Sequence, residues 1–189
     1  MAEKAAQADA WGGYVPKRIV LMGVSGSGKS SIGRAFAPLV QACYFDGDSF
    51  HPQSNIDKMT EGAALKDEDR WPWLKKVGET LASGDRRVIV SCSALKRIYR
   101  DCIRDVAGSG VVFVYLSGNR ELLASRMSSR SGHFMPEFLL DSQYADLQPP
   151  EKDETSITVD VILPIEIVIR NIYEKLQSMI RLSVNTALL

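Results

Sequence analysis

The sequence predicts an α/β fold in which helices cover both faces of a five-stranded parallel sheet. Short apolar segments recur along the chain and are separated by helix-prone segments, which is the pattern of strands buried on both faces. The length of 189 residues suits one domain. The first apolar segment runs directly into a glycine-rich turn and then a helical segment, as the first unit of such a fold does.

Five segments are predicted to be strands because they are rich in β-branched and aromatic residues and are bounded by turn residues. They are Arg18–Met22, Cys43–Phe45, Arg87–Cys92, Val111–Leu116 and Ser156–Leu163. The longest apolar runs, such as Val111–Leu116, are far shorter than the roughly 18 residues that a membrane span needs. We therefore expect no membrane-spanning segment.

Helix-prone segments fill the intervals between these strands. The predicted helices are Lys29–Val40, Pro52–Ser83 with a break near Gly62, Ala94–Val106, Arg120–Arg130, Pro136–Asp146 and a last helix that begins at Pro164. Proline suits the first residue of a helix, because its fixed backbone angle is already helical. Apolar residues then recur at helical spacing after Pro164, which predicts a stripe that packs on the sheet.

Composition and the chain ends set the expected boundaries. We expect a flexible N-terminal tail at residues 1–16, a single domain at residues 17–182 and a C-terminal tail at residues 183–189. The 23 basic and 23 acidic residues cancel, which excludes a global positive field for nucleic acid. Three cysteines without a C-x-x-C pair, and the lack of an apolar secretory signal, favour a reduced, cytoplasmic compartment.

The strongest local motif follows the first predicted strand. Residues 23–30 match G-x-x-x-x-G-K-[ST], the phosphate loop of P-loop NTPases. Glycines let successive backbone N–H groups face phosphate oxygens, and the helix that follows adds the positive end of its dipole. We therefore predict nucleoside triphosphate binding, with Lys29 at the β- and γ-phosphates and Ser30 at Mg²⁺. The predicted nucleotide-binding residues are Gly23, Val24, Ser25, Gly26, Ser27, Gly28, Lys29, Ser30 and Ser31.

The carboxylates near this loop favour a kinase over a GTPase or a motor ATPase. The chain has no N-K-x-D base-reading motif, and neither the third nor the fourth predicted strand ends in an aspartate. The remaining candidates are Asp46 and Asp48, directly after the second strand. One of them can hold Mg²⁺ through water while the other accepts a proton from a substrate hydroxyl.

These residues resemble the gluconokinase (gluconate kinase) family of small P-loop kinases, over a match from about Arg18 to Pro164. The most specific segments are D-G-D-S-F-H-P at residues 46–52 and C-S-A-L-K-R-I-Y-R-D at residues 92–101. Further matching positions are Gly23–Ser30, Asn55, Lys58-Met59, Leu65–Leu74, Arg126, Arg130, Gly132–Met135, Leu140 and Ser142-Gln143.

The resemblance implies transfer of the γ-phosphate of ATP to the 6-hydroxyl of D-gluconate, with Mg²⁺. It also implies a three-layer P-loop fold like that of nucleoside monophosphate and shikimate kinases, with sheet order 2-3-1-4-5. A mobile lid at about residues 128–140 and a possible homodimer belong to the same expectation. Asp48 is expected to orient the acceptor hydroxyl and Asp46 to hold Mg²⁺, although the residues alone leave the reverse assignment open.

Gluconate is a small anion with many hydroxyls, so its pocket needs cationic groups for the carboxylate. Lys96 and Arg100 lie four residues apart on one predicted helix face, where a bound anion would offset their repulsion. The predicted substrate-binding residues are Asp48, His51, Arg70, Lys96, Arg100 and His133.

Arg126 and Arg130 repeat this spacing on the helix that leads into the expected lid. Arginines that close over the γ-phosphate would stabilise the charge that spreads in the transition state. With Lys29 and Asp48 they are the predicted catalytic residues. Two alternatives stay open at this point: a kinase for shikimate, a nucleoside monophosphate or another sugar acid, and a nucleotide-binding module without turnover.

Overall fold

A computed structural model describes residues 15–128 and 137–186, and its side chains are described except at residues 137–139 and 180–186. The strands are β1 (Arg18–Met22), β2 (Ala42–Asp46), β3 (Arg87–Ser91), β4 (Val111–Ser117) and β5 (Ser156–Asp160). The helices are α1 (Lys29–Leu39), α2 (Gln53–Thr60), α3 (Asp67–Ala82), α4 (Arg97–Ala107), α5 (Arg120–Ser128), α6 (Glu137–Asp146) and α7 (Ile165–Thr186), with a 3₁₀ turn at Gly47–Phe50.

The five strands form one sheet of order β2-β3-β1-β4-β5. Every neighbouring pair is parallel. The expected strand number, direction and order are therefore confirmed. The register places Asp46 of β2 beside Ser91 of β3, at the edge of the sheet where all the strands end.

Alternate residues of each strand point to opposite faces, and each face carries its own core. On one face, Ile19 and Leu21 of β1 pack in a cluster with Phe36 of α1 and Ile172 of α7. On the other face, Val20 and Met22 join a cluster that includes residues of α3 and α4. The result is the three-layer arrangement of helix, sheet and helix that the sequence predicts.

The observed limits of β5 and α4 differ from the predicted ones, and the local conformation of one residue explains each difference. β5 ends at Asp160, three residues before the predicted end at Leu163, because the Asp160 carboxylate accepts a hydrogen bond from the Ile162 N–H at 2.8 Å and turns the chain. α4 begins at Arg97 and not at Ala94, because Ala94 has a left-handed φ of 44° that no helix can contain.

The structure also extends past both expected domain boundaries. Val15 lies inside the expected N-terminal tail, yet it is only 2% exposed and packs in the core beside α1. At the other end, α7 continues to Thr186, beyond residue 182. None of the helices in residues 15–128 and 137–186 is long and apolar enough to span a membrane.

Candidate active site

The candidate residues gather at the carboxyl edge of the sheet. The phosphate loop follows β1, Asp46 ends β2 and Asp48 lies in the turn after it, and the segment that carries Lys96 follows β3. Because parallel strands end at the same edge, these three loops become neighbours although they are far apart in sequence.

The phosphate loop has the backbone that its glycines predict. Gly26 and Gly28 have left-handed φ angles of 79° and 87°, and Gly28 leads directly into α1. A Cβ atom on Gly26 would lie 2.8 Å from the carbonyl oxygen of Leu123 in α5, so only glycine fits there. The Lys29 ammonium donates to the carbonyl oxygens of Gly23 and Val24 at 2.9 and 3.1 Å, which keeps the charge beside the loop.

Ser30 and Asp46, the two predicted Mg²⁺ residues, are in direct contact. The Ser30 hydroxyl donates to Asp46 Oδ2 at 2.9 Å, and the Ser91 hydroxyl donates to Asp46 Oδ1 at 3.1 Å. Burial alone would raise the pKa of Asp46, but these two hydrogen bonds, the Asp48 N–H and the charge of Arg34 together lower it. An ionised carboxylate beside a hydroxyl is a donor set that suits Mg²⁺.

This pair alone does not enclose a metal ion. Residues 15–128 and 137–186 contain no group of three or more histidine, cysteine or acidic side chains that would do so. Mg²⁺ commonly takes only one or two protein oxygens and completes its shell with phosphate oxygens and water. The residues present therefore fit Mg²⁺ that arrives with a nucleotide.

Asp48 lies on the 3₁₀ turn that follows β2. Asp48 is exposed to solvent, yet the surrounding groups partly desolvate its carboxyl group, which raises its pKa. The charge of Lys29 opposes this rise, while the charge of Asp46 adds to it. A carboxylate with a raised pKa is a better proton acceptor, which is the property that a general base needs.

Gly47 fixes the path of this turn between the two aspartates. A Cβ atom at Gly47 would lie 2.2 Å from the carbonyl oxygen of Ser91, so the turn passes β3 too closely for any side chain. The indole N–H of Trp73 in α3 donates to the Gly47 carbonyl oxygen at 2.6 Å. Sheet and helix together therefore position Asp48.

Two of the predicted cationic residues meet over one aromatic ring. The Arg70 guanidinium lies 5.6 Å and the Lys96 ammonium 5.5 Å from the ring centroid of Tyr99. Lys96 Nζ pairs with Asp67 at 2.9 Å and with Asp146 at 3.6 Å. The hydrogen bond with Asp67 is the main cause of the raised pKa of Lys96, so this group stays charged.

Arg70 keeps hydrogen-bonding capacity for a ligand. Its Nη2 donates to the carbonyl oxygen of Leu65 at 3.2 Å, whereas its buried Nε has no hydrogen-bond partner among the described residues. A planar guanidinium with free donors suits a carboxylate.

Arg100 does not join this group, contrary to the sequence prediction. Its side chain is 0% exposed, and its Nε and Nη2 both donate to Glu154 at 2.7 Å. Its Nη1 donates to the carbonyl oxygens of Ala94, Leu95 and Gln148. All three nitrogens of the guanidinium are therefore bonded within the protein. Arg100 stabilises the segment that precedes α4 and does not bind substrate.

The sequence carried one signal of this structural role. Arg100, Ile103 and Ala107 lie on the same side of α4 at spacings of three and four, and all three are buried. In addition, Lys96 precedes the first residue of α4, so Lys96 and Arg100 do not share the helix face that the sequence predicted.

His51 lies against the aromatic side of the site. Its ring stacks on that of Trp73, with centroids 4.1 Å apart and an interplanar angle of 18°. Burial is the main cause that lowers the pKa of His51 to about 4, and the positive charge of Arg70 adds to it. His51 is therefore uncharged near neutral pH.

The predicted lid-side residues are only partly described. Arg126 Nη2 donates to the carbonyl oxygen of Val161, just past β5, at 2.6 Å. Arg130, His133 and most of the expected lid lie outside the described residues. The roles assigned to these three residues stay predictions.

Gln143 contacts the phosphate loop, and the sequence did not predict this contact. On α6, its side-chain carbonyl accepts from the Ser25 N–H at 2.7 Å, and its amide group donates to the Ser25 hydroxyl at 3.0 Å. The position lies inside a segment that matches the family, but nothing in its local pattern indicated a contact with the phosphate loop 118 residues away.

This sheet order, with a phosphate loop after β1 and an aspartate after β2 facing a cationic group, defines a P-loop kinase of small molecules. The shikimate kinase family model matches residues 25–148. The chain is 45% identical to the thermosensitive gluconokinase of Escherichia coli K12, over 73% of this chain and 75% of that protein. It is 42% identical to the thermoresistant gluconokinase of the same organism, over 82% of this chain and 90% of that protein.

A solved structure agrees with these relatives. The gluconokinase from Sinorhizobium meliloti 1021 superposes with a TM-score of 0.80 and 47% identity, covering 92% of this chain and 97% of that one. The chain belongs to the gluconokinase family, within the larger group of P-loop kinases that includes the shikimate kinases.

Proposed function

We propose that this chain is a gluconokinase that transfers the γ-phosphate of ATP to the 6-hydroxyl of D-gluconate. The observation that carries the proposal is the placement of two groups at one sheet edge. One group, Lys29, Ser30 and Asp46, suits a metal-bound triphosphate. The other, Asp48, His51, Arg70 and Lys96, suits a polyhydroxy acid, and the electrostatic coupling of Asp48 with Lys29 connects the two.

On the nucleotide side, the amides of residues 23–31 and the Lys29 ammonium would hold the phosphates. Lys29 now bonds neutral carbonyl oxygens, and anionic phosphate oxygens are stronger acceptors for its charge. Ser30 and Asp46 would hold Mg²⁺, which when bound neutralises charge on the β- and γ-phosphate oxygens. Arg126 and Arg130 would add positive charge from α5 and the segment after it.

On the acceptor side, Asp48 would take the proton of the 6-hydroxyl as that oxygen attacks the γ-phosphorus. The bond from the γ-phosphorus to the β-γ bridging oxygen breaks, ADP leaves with the electron pair, and 6-phospho-D-gluconate forms. Arg70 and Lys96 would bind the carboxylate at the other end of the sugar acid. His51 and His133 would bond its hydroxyl oxygens.

We also propose a homodimer, which the family resemblance supports, cytoplasmic action, and no role for nucleic acid, which the balance of 23 basic and 23 acidic residues supports. The three cysteines are free thiols, as a reducing compartment keeps them. A light-scattering mass of about twice the 20.9 kDa of one chain would support the dimer, and the mass of one chain would contradict it.

An ADP-release assay over a panel of acceptors tests the activity. The panel holds D-gluconate, other sugar acids, shikimate and nucleoside monophosphates, each with and without Mg²⁺. We expect rapid turnover on gluconate alone. Turnover on shikimate or a monophosphate would assign a different kinase, and no turnover with any acceptor would favour the nucleotide-binding module.

A further inference from the structure

A buried asparagine holds the ring of His51 from the side. Asn55 on α2 is only 2% exposed. Its Nδ2 lies 2.8 Å from the backbone carbonyl oxygen of Asp69 and 3.2 Å from Nδ1 of His51. His51 is thus fixed by this amide at one ring nitrogen and by the stacked Trp73 across its face.

These two distances determine which nitrogen of His51 carries a proton. A carbonyl oxygen can only accept, so the Asn55 atom that faces Asp69 must be the NH₂ group. One hydrogen of that group goes to Asp69 and the other points at His51 Nδ1. Nδ1 must therefore accept and have no proton, which leaves the single proton of the neutral ring on Nε2.

Burial of the ring and the positive charge of Arg70 favour this neutral form. Arg70 of α3 is the cation that acts on His51. Asp48, three residues earlier, lies on the turn before it, and the Asp69 carboxylate is occupied by Lys58 and the Lys66 N–H, at 2.6 and 3.0 Å. Within the part of the chain that the structure describes, His51 Nε2 has no hydrogen-bond partner.

We propose that Asn55 is a positioning residue that holds His51 neutral with its proton on Nε2, so that His51 donates a hydrogen bond to an oxygen of the sugar acid. This inference rests on the proposed function. A neutral donor has a chemical advantage at this position: an imidazolium beside Asp48 would lower the pKa of that carboxylate and weaken it as a base. Arg70 and Lys96 already provide the positive charge for the substrate.

The tautomer can be measured directly, because the chain contains only two histidines. Two-dimensional ¹⁵N–¹H NMR of the imidazole nitrogens, with His133→Gln to assign the signals, reports which nitrogen is protonated. We expect Nδ1 of His51 to be unprotonated and Nε2 protonated from about pH 8 down to about pH 5. A protonated Nδ1, or a charged ring at neutral pH, would overturn the inference.

Kinetics then test what the donor does. His51→Phe keeps a ring on Trp73 but removes the donor, so we expect the KM for gluconate to rise about tenfold, with the KM for ATP unchanged. An unchanged KM for gluconate would overturn the inference. Asn55→Ala should give a mixture of His51 tautomers, and an unchanged tautomer would again contradict the assignment.

Asn119→Ala is the matched control, because it removes an asparagine that bonds the Leu122 N–H at the start of α5. It should leave the His51 tautomer as in the wild type. If Asn55→Ala does not fold, the wild-type NMR spectra still test the tautomer of His51, and the KM for gluconate of His51→Phe still tests its role as a donor. Failure of the proposed function is recognised separately, as wild-type protein without turnover on gluconate, whereas the NMR result does not depend on turnover.

Discussion

Substitution of Lys29 tests the predicted contact between its ammonium group and the phosphates of the nucleotide. Its ammonium donates to the carbonyl oxygens of Gly23 and Val24, and its charge acts on Asp48, so its described contacts lie within the site and we expect the fold of Lys29→Ala to persist. We expect kcat to fall about a hundredfold or more, because one charged donor at the transferring phosphate is lost. Circular dichroism and the thermal midpoint would verify the fold. Lys76→Ala, at an exposed residue paired with Glu79, is the control, and near-normal activity of Lys29→Ala would contradict the role.

Asp48 is the second decisive residue, because its change separates catalysis from binding. Asp48→Asn keeps the size of the side chain but cannot accept the hydroxyl proton, so we expect transfer to be lost while ATP still binds. Isothermal titration with ATP and the ADP-release assay measure the two effects. Asp57→Asn on α2 serves as the control. Weaker ATP binding with kcat preserved would reassign Asp48 to the metal.

The raised pKa of Asp48 predicts the direction of a pH effect. The base works only when ionised, so activity is present above its pKa and lost as the pH falls through it. We expect the acidic limb of kcat/KM to lie above the ordinary aspartate value of 3.8. A limb at or below that value, with protein folded throughout, would indicate that another group is titrating.

At the scale of elements, the Gln143 side chain connects α6 to the phosphate loop. Gln143 occupies the Ser25 N–H, one of the amides that we expect to face phosphate, so a nucleotide must compete with it. Gln143→Leu removes the competitor, and we expect ATP to bind roughly three- to tenfold more tightly. Fluorescence titration with a labelled nucleotide would measure this. Gln53→Leu on the surface of α2 is the control, and unchanged or weaker binding would show that the two contacts coexist.

At the scale of the whole molecule, Arg100 and Glu154 tie α4 to the chain that leads into β5. Both side chains are 0% exposed. Glu154→Gln would leave the Arg100 charge buried without its counter-ion, which costs roughly 3–5 kcal/mol of unfolding free energy. Urea unfolding measures the loss, and the exposed Glu79→Gln should change it by less than about 1 kcal/mol. Equal effects of the two changes would contradict the structural importance of this pair.

The same pair predicts how the fold responds to acid. Burial alone would raise the pKa of Glu154, but hydrogen bonds from Arg100 and the Glu151 N–H, together with the charges of Arg100 and Arg104, lower it to about 2. The folded pKa lies below the ordinary value of 4.5, so the contribution to stability is complete above that pH and is lost as the pH falls toward 2. Glu154→Gln should flatten this part of the stability curve.

The strands and the phosphate loop could be predicted from the sequence because their signals are local, whereas the strand order came from the family resemblance. Each strand is an apolar segment bounded by turn residues, and the phosphate loop carries its own motif. The contact of Ser30 with Asp46 agrees with the shared Mg²⁺ role predicted for these residues, since β1 and β2 both end at this edge of the sheet with only β3 between them. The end of β5 was missed because it depends on one hydrogen bond of Asp160.

The missed parts of the site depend on partners far away in the chain. Arg100 reads as a substrate cation until Glu154, 54 residues later, is placed beside it. Gln143 has no local signal, because its partner Ser25 is 118 residues away. Buried polar pairs of this kind come from tertiary packing, which residue spacing alone does not report.

Gly47 passes so close to β3 that the turn between Asp46 and His51 limits how the specificity of this protein can be re-engineered. Directed evolution toward a different sugar acid would naturally randomise the segment between Asp46 and His51. A library that varies Gly47 would consist largely of misfolded clones, since even a methyl group there collides with the Ser91 backbone. Diversity is better introduced at the exposed residues of α2, which lie outside the turn.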